Sequence, residues 1–293
     1  MRGLDKIAVI LLIVLAVVGH WFRDGGSTPD DERSPRRPAP HAFEGSSPSG
    51  LDVFADVPAR SEAAPASRAP LVREGVIEVE TRARNSTGTA FAVADGIWLT
   101  ARHVIEGCSK AGIQYAPKKA QKIERFIHHP NADVSLVFTK GSADALNLAA
   151  SDDTPDGFHI GFPQGSPGAM HGERLGRTKL RYTGAYRVRE VVTAWSEVSR
   201  LPAGSSSLGG MSGGPVFDNA GRVIGIVLAE SRRRGRTYTA TPQTIADMMD
   251  QATPSPLGEA LPAGALGSQT YGALARDLIT SKQISRVLCI GPS

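Results

Sequence analysis

The chain is 293 residues long, 41% hydrophobic and 21% charged, with a formal net charge of +4. That is ordinary globular composition, but the apolar residues are unevenly spread, so one folded domain of roughly 180 residues with flanking segments is expected. Much of the positive charge sits in two runs, Arg33–Arg37 and Arg232–Arg236. With no nucleic-acid motif or aromatic platform beside them they read as solvated segments, which excludes nucleic acid as the expected partner.

At the N-terminus Arg2 and Lys6 precede an unbroken apolar run from Ile7 to Val18, followed by Gly19, His20, Trp21 and Phe22. A basic start and a helix-forming apolar core make an export signal. Trp21 and Phe22 suit a membrane interface, so residues 1–22 are expected to stay as a single-pass transmembrane anchor in the cell membrane. The rest of the chain then lies on the periplasmic or extracellular side. Cleavage near Val17-Val18-Gly19, releasing a secreted protein, is the alternative, because a span needs about 20 apolar residues. Residues 23–72 carry recurrent proline among Ser, Ala, Gly and Arg and read as a disordered linker. Their one apolar patch, Leu51-Asp-Val-Phe54, is a candidate to dock on the domain.

From residue 73 to 250 the texture changes. Val76–Thr81 alternates as a strand. Thr87–Val93 and Ile97–Thr100 are short strands joined by a turn at Asp95-Gly96, a hairpin signal. Further strands are expected at Ile123–Ile127, Val134–Phe138, Phe158–Phe162, Val188–Trp195, Pro215–Phe217, Val223–Leu228 and Thr237–Ala240. One helix, Pro242–Met249, has Thr241 as N-cap and proline at its start. Many short strands separated by turns predict an all-β sandwich or pair of barrels. In the tail, 251–293, Tyr271–Leu278 reads as helix and Arg286–Ile290 as strand. Cys108 and Cys289 lack metal-site spacing. In an exported domain they are candidates for a disulfide that ties the tail back, two free thiols being the alternative.

The candidate chemistry centres on Ser212, in Gly210-Met-Ser212-Gly-Gly-Pro215. A hydroxyl is a weak nucleophile until a base takes its proton, and the oxyanion that follows needs donors. The amides of Gly210 and Ser212 are candidates for that hole. The same stretch fits the G-x-S-x-G elbow of α/β-hydrolases. That fold needs a helix directly after the serine, which Gly213-Gly214-Pro215 starts badly, and a histidine after it. All seven histidines precede Ser212. A subtilisin-like order would place the aspartate before the histidine and again put a helix after the serine, so the order that remains is His, Asp, Ser. His103 follows a strand hairpin, and Asp133 heads the apolar strand Val134–Phe138, where a carboxylate must be paired. His128-His129-Pro130 competes; it reads as a surface turn, with a metal pair as the alternative. Asp152, Asp153 and Asp156 read as solvated.

The segments Leu-Thr-Ala-Arg-His103, Asp133-Val-Ser-Leu-Val and Gly-Met-Ser212-Gly-Gly-Pro, in that order, resemble the three catalytic blocks of trypsin-like (chymotrypsin-fold) serine proteases. Val223–Leu228 followed by Tyr238-Thr-Ala-Thr-Pro242 is similar to the last barrel strands and closing helix of bacterial high-temperature-requirement-like proteases. The residues after that helix are too few for the peptide-binding PDZ domain many of these carry. The resemblance implies two six-stranded antiparallel β-barrels with a serine endopeptidase site between them and a polypeptide as substrate. His103 would be general base, Asp133 its orienter and Ser212 the nucleophile. Gly210 and Ser212 would form the oxyanion hole, and no cofactor or metal is needed. Ser206 stands where trypsin has its acidic pocket residue, so cleavage after Lys or Arg is not implied. Val227, Leu228 and Ala229 would line the specificity pocket, favouring small or medium apolar side chains, with Glu230 a complication. A latent binding or sensing module of the cell envelope on the same fold, and an esterase, are the competing readings.

Overall fold

The computed structural model of the protein describes residues 50–55, 76–81, 85–141, 143–252 and 266–292. The expected anchor, residues 1–22, and most of the expected linker lie outside the described residues. Among those described, no helix is long and apolar enough to cross a membrane.

In chain order the strands are β1 (Ile77–Thr81), β2 (Ser86–Ala94) and β3 (Ile97–Ala101), then a one-turn helix α1 (Arg102–Ile105). Next come β4 (Lys110–Ala116), β5 (Lys119–Lys122), β6 (Arg125–His128) and β7 (Val134–Phe138). The second half has β8 (Asp156–Gly161), β9 (Gly168–Gly184), β10 (Val188–Leu201), β11 (Pro215–Phe217), β12 (Val223–Ser231) and β13 (Arg236–Ala240). Helices α2 (Pro242–Met249) and α3 (Tyr271–Thr280) precede the last strand, β14 (Ile284–Ile290).

The strands form two curled sheets. In the first, the order is β5-β4-β14-β2-β3-β7-β6. Its hairpin β2–β3 closes through the two residues Asp95-Gly96, with Ala94 opposite Ile97. In the second, the order is β1-β9-β10-β13-β12-β11-β8, and β8 also pairs with β9, so six strands close into a ring. Each sheet carries one strand beyond the six expected of it. In the second sheet β1 adds a seventh strand, parallel to β9 at Leu180–Gly184. In the first, the tail strand β14 inserts between β2 and β4, with Ile284 opposite Phe91 and Val287 opposite Ile113. Its burial explains why: Ile284, Val287 and Cys289 turn inward. The structure joins Cys108 to Cys289 with Cα atoms 5.5 Å apart.

Both helices read from the sequence are present. Thr241 caps α2 by accepting the Thr244 N–H. Phe54 from the expected linker is 2% exposed and belongs to the main apolar core, with Leu51 and Val53 packed on it. Asp152 is not solvated: it is buried, receiving Arg177 at 2.6 Å and the Thr193 hydroxyl at 2.5 Å. Its partners lie on β9 and β10, out of reach of any local pattern.

Candidate active site

Register brings the first two candidates together. β3 and β7 run antiparallel with Ala101 opposite Val134, so the residues just beyond each end meet. His103 sits in the first turn of α1, and Asp133 immediately precedes β7. The His103 ring Nδ1–H donates to Asp133 Oδ2 at 2.6 Å, and the His103 backbone N–H donates to Oδ1 at 2.8 Å. Asp133 is fully buried, and a third donor reaches it: the Tyr186 hydroxyl, 2.5 Å from Oδ1. Burial alone would lower the His103 pKa, but the charge of Asp133 and then its hydrogen bond outweigh this and hold it above the ordinary value.

Ser212 comes from the second sheet, in the loop between β10 and β11. Three contacts lock this loop to β2 and to the β8–β9 connection. The Ser212 carbonyl accepts the Thr89 N–H at 2.8 Å, and the Gly210 carbonyl accepts the Thr89 hydroxyl at 2.9 Å. The Gly209 carbonyl accepts the Gln164 N–H at 2.5 Å. Glycine is required twice here. Gly210 has φ +99°, and a Cβ on it would lie 2.6 Å from the Phe162 oxygen. Gly213 has φ +86°, and a Cβ would lie 2.1 Å from the Thr89 oxygen. The amides of Gly210 and Ser212 donate no hydrogen bond to any described residue.

His103, Ser212 and Gly210 line one cleft of about 720 Å³, together with Leu228, Ala229, Glu230 and part of β1. No hydrogen bond joins Ser212 Oγ to the His103 ring among the described residues. Two of the expected pocket residues do not line this cleft. Val227 is buried in a second apolar cluster with Met211 and Leu208, because a register shift between Val227 and Ala229 breaks the alternation of β12. Ser206 is exposed and accepts from the Gln164 side chain at 2.9 Å. Glu230 is turned to the serine loop, accepting the Ser207 hydroxyl at 3.0 Å and the Leu208 N–H at 3.1 Å.

The competing histidines have separate partners. His128 Nδ1 meets the Ser135 hydroxyl at 2.6 Å, and His129 Nδ1 accepts the Asn131 N–H at 3.1 Å, the geometry of a turn. Four residues of the site were not singled out in the sequence: Thr89, Gln164, Tyr186 and Glu190. Glu190 alone left a signal. It falls in phase with Val188 and Val192, a carboxylate on the inward face of β10.

Three solved structures are similar to the chain at low identity. The active form of the Rv3671c protease from M. tuberculosis is 20% identical, with 67% of this chain and 97% of that chain covered and a TM-score of 0.48. The MamO protease domain from Magnetospirillum magneticum is 16% identical, covering 55% and 93%, with a TM-score of 0.41. The HtrA-type protease AlgW with a decapeptide is 20% identical, covering 56% and 50%, with a TM-score of 0.42. No curated protein matches the chain. Residues 88–226, which include His103, Asp133 and Ser212, match the family model described as the trypsin-like peptidase domain. Over that span the chain is similar to a trypsin-like peptidase domain.

Proposed function

We propose that the protein is an exported, membrane-anchored serine endopeptidase that cleaves polypeptides through Ser212, His103 and Asp133. The observation that carries this reading is the doubly hydrogen-bonded His103–Asp133 pair in the same cleft as Ser212. Ser212 Oγ attacks the peptide carbonyl while His103 Nε2 takes its proton. Asp133, held on Nδ1–H, stabilises the imidazolium that forms. The Gly210 and Ser212 amides receive the oxyanion. Support for a formed hole comes from Gln164: a trans peptide sets its C=O and N–H on opposite sides, so tying back the Gly209 carbonyl aims the Gly210 N–H the other way. His103 then protonates the leaving amine, and water attacks the acyl-enzyme with His103 again as base. Leu228 and Ala229 support a preference for small apolar side chains.

Export and anchoring rest on residues 1–22, and the Cys108–Cys289 bond supports an oxidising compartment. Cell fractionation with protease shaving tests them: the domain is expected in the membrane fraction and degraded from outside. Activity is tested by fluorophosphonate labelling and casein cleavage of wild type against Ser212→Ala. Labelling and cleavage confined to wild type are expected; a folded wild-type protein that does neither would overturn the reading. A second reading, a latent binding module on the same fold, draws on the missing Ser212–His103 hydrogen bond. It predicts labelling only after a partner or peptide is added.

A further inference from the structure

We propose that Tyr186 and Glu190, supplied by the sheet that does not carry the His103–Asp133 pair, are positioning residues for that pair: Tyr186 holds the Asp133 carboxylate and Glu190 holds the Asp133 backbone. The proposal rests on the serine-protease reading of the site.

The need for an outside anchor follows from the donors on Asp133. A buried carboxylate must have its lone pairs filled. Of the three donors that reach it, two are the ring and backbone of His103. These cannot fix Asp133 relative to His103 and the serine loop at once, because they move with the residue to be oriented. The Tyr186 hydroxyl, 2.5 Å from Oδ1, is the donor that comes from elsewhere. Glu190 Oε1 accepts the Asp133 N–H at 2.9 Å. Tyr186, in the connection between β9 and β10, and Glu190, near the start of β10, therefore grip Asp133 at side chain and main chain. That hairpin belongs to the same sheet as the loop of Ser212, so the grip ties the base and its orienter to the frame that carries the nucleophile.

The grip is itself braced. The Arg102 guanidinium lies over the Tyr186 ring, 4.1 Å from its centre, and the Tyr182 ring stacks on the Tyr186 ring with centroids 5.8 Å apart. Glu190 is buried. Burial, then the charge of Asp133, push its carboxyl up to about 8, so it serves as an uncharged acceptor at neutral pH. Glutamine, which keeps an acceptor oxygen and no charge, is then its natural substitute, whereas alanine leaves the Asp133 N–H unpaired.

The test measures fluorophosphonate labelling of the full chain as a function of probe concentration, giving a maximal rate and a half-saturating concentration, per folded molecule below the melting temperature. Wild type, Ser212→Ala, Tyr186→Phe, Glu190→Ala and Glu190→Gln are compared. Tyr186→Phe and Glu190→Ala are expected to lower the maximal rate tenfold or more with the half-saturating concentration within twofold, and Glu190→Gln to stay within twofold in both. Maximal rates within twofold of wild type for Tyr186→Phe and Glu190→Ala overturn the proposal while leaving the Ser212 reading intact. Equal losses in Glu190→Gln and Glu190→Ala overturn it for Glu190. Labelling that persists in Ser212→Ala instead overturns the underlying reading, and the proposal with it.

Discussion

The hydroxyl of Thr89 donates to the Gly210 carbonyl at 2.9 Å, pinning the central strand β2 of one sheet to the serine loop of the other. The same oxygen accepts the Phe162 N–H at 3.1 Å, so one fully buried side chain links three segments around the oxyanion loop. Thr89→Val keeps the shape and removes both bonds. It is expected to cost about 1–3 kcal/mol in urea melts, because a buried partner is left unpaired. Fluorophosphonate labelling should slow with it. Wild-type stability in Thr89→Val would show that the pin carries no weight.

The pH dependence of labelling should report His103. The imidazole acts as a base only when neutral, and Asp133 holds its pKa above the ordinary 6.5. The labelling rate is therefore expected to rise with pH through a midpoint above 6.5, and Asp133→Asn to move that midpoint down while slowing the reaction. The stabilising effect of the protonated pair runs the other way. It is complete below the unfolded value of 6.5 and fades as pH rises through the folded one.

Glu190 makes a separate prediction about stability. Unfolded, its carboxyl loses its proton near 4.5; folded, near 8. Between these values the folded state holds a proton that the unfolded state has released, so wild type loses stability as pH rises across that window. Glu190→Gln has no such proton. The two proteins should melt together at the acid end and diverge upward, the variant ending the more stable. Parallel melting curves at every pH would mean that the carboxyl ionises normally.

The Cys108–Cys289 bond closes a loop of 181 residues' separation. Replacing both cysteines by serine is expected to cost about 2–5 kcal/mol, as for other native disulfides. Denaturant midpoints for the pair variant and wild type, both without reductant, measure it. Coincident midpoints would assign the closure wholly to the pairing of β14.

What was legible in the sequence was local. Asp95-Gly96 marked a two-residue turn, Thr241 and Pro242 marked a helix start, and the surroundings of His103, Asp133 and Ser212 singled out residues that the fold brings together. What was hidden depended on partners distant in sequence. β9 was missed although Thr178, Leu180 and Tyr182 alternate with Lys179 and Arg181, because the stretch before them is interrupted by glycines and charges that break the pattern. β4 and β5 were missed because their lysines face out. Asp152 looked solvated because Arg177 and Thr193 stand 25 and 41 positions away. Tyr186 lies 53 positions from Asp133, and an isolated tyrosine in a turn says nothing about which carboxylate it will meet.

The place of β14 sets an order in time. With Ile284–Ile290 removed, β4 and β5 have no pairing to β2, β3, β7 and β6, and the first sheet falls into two pieces. A growing chain has already made His103, Asp133 and Ser212 when that strand is still to come. The sheet that frames the His103–Asp133 pair is completed only when one of the last segments reaches back across most of the chain, the kind of long-range step that slows folding. His103, Asp133 and Ser212 are thus made before the strand that completes the sheet holding the first two.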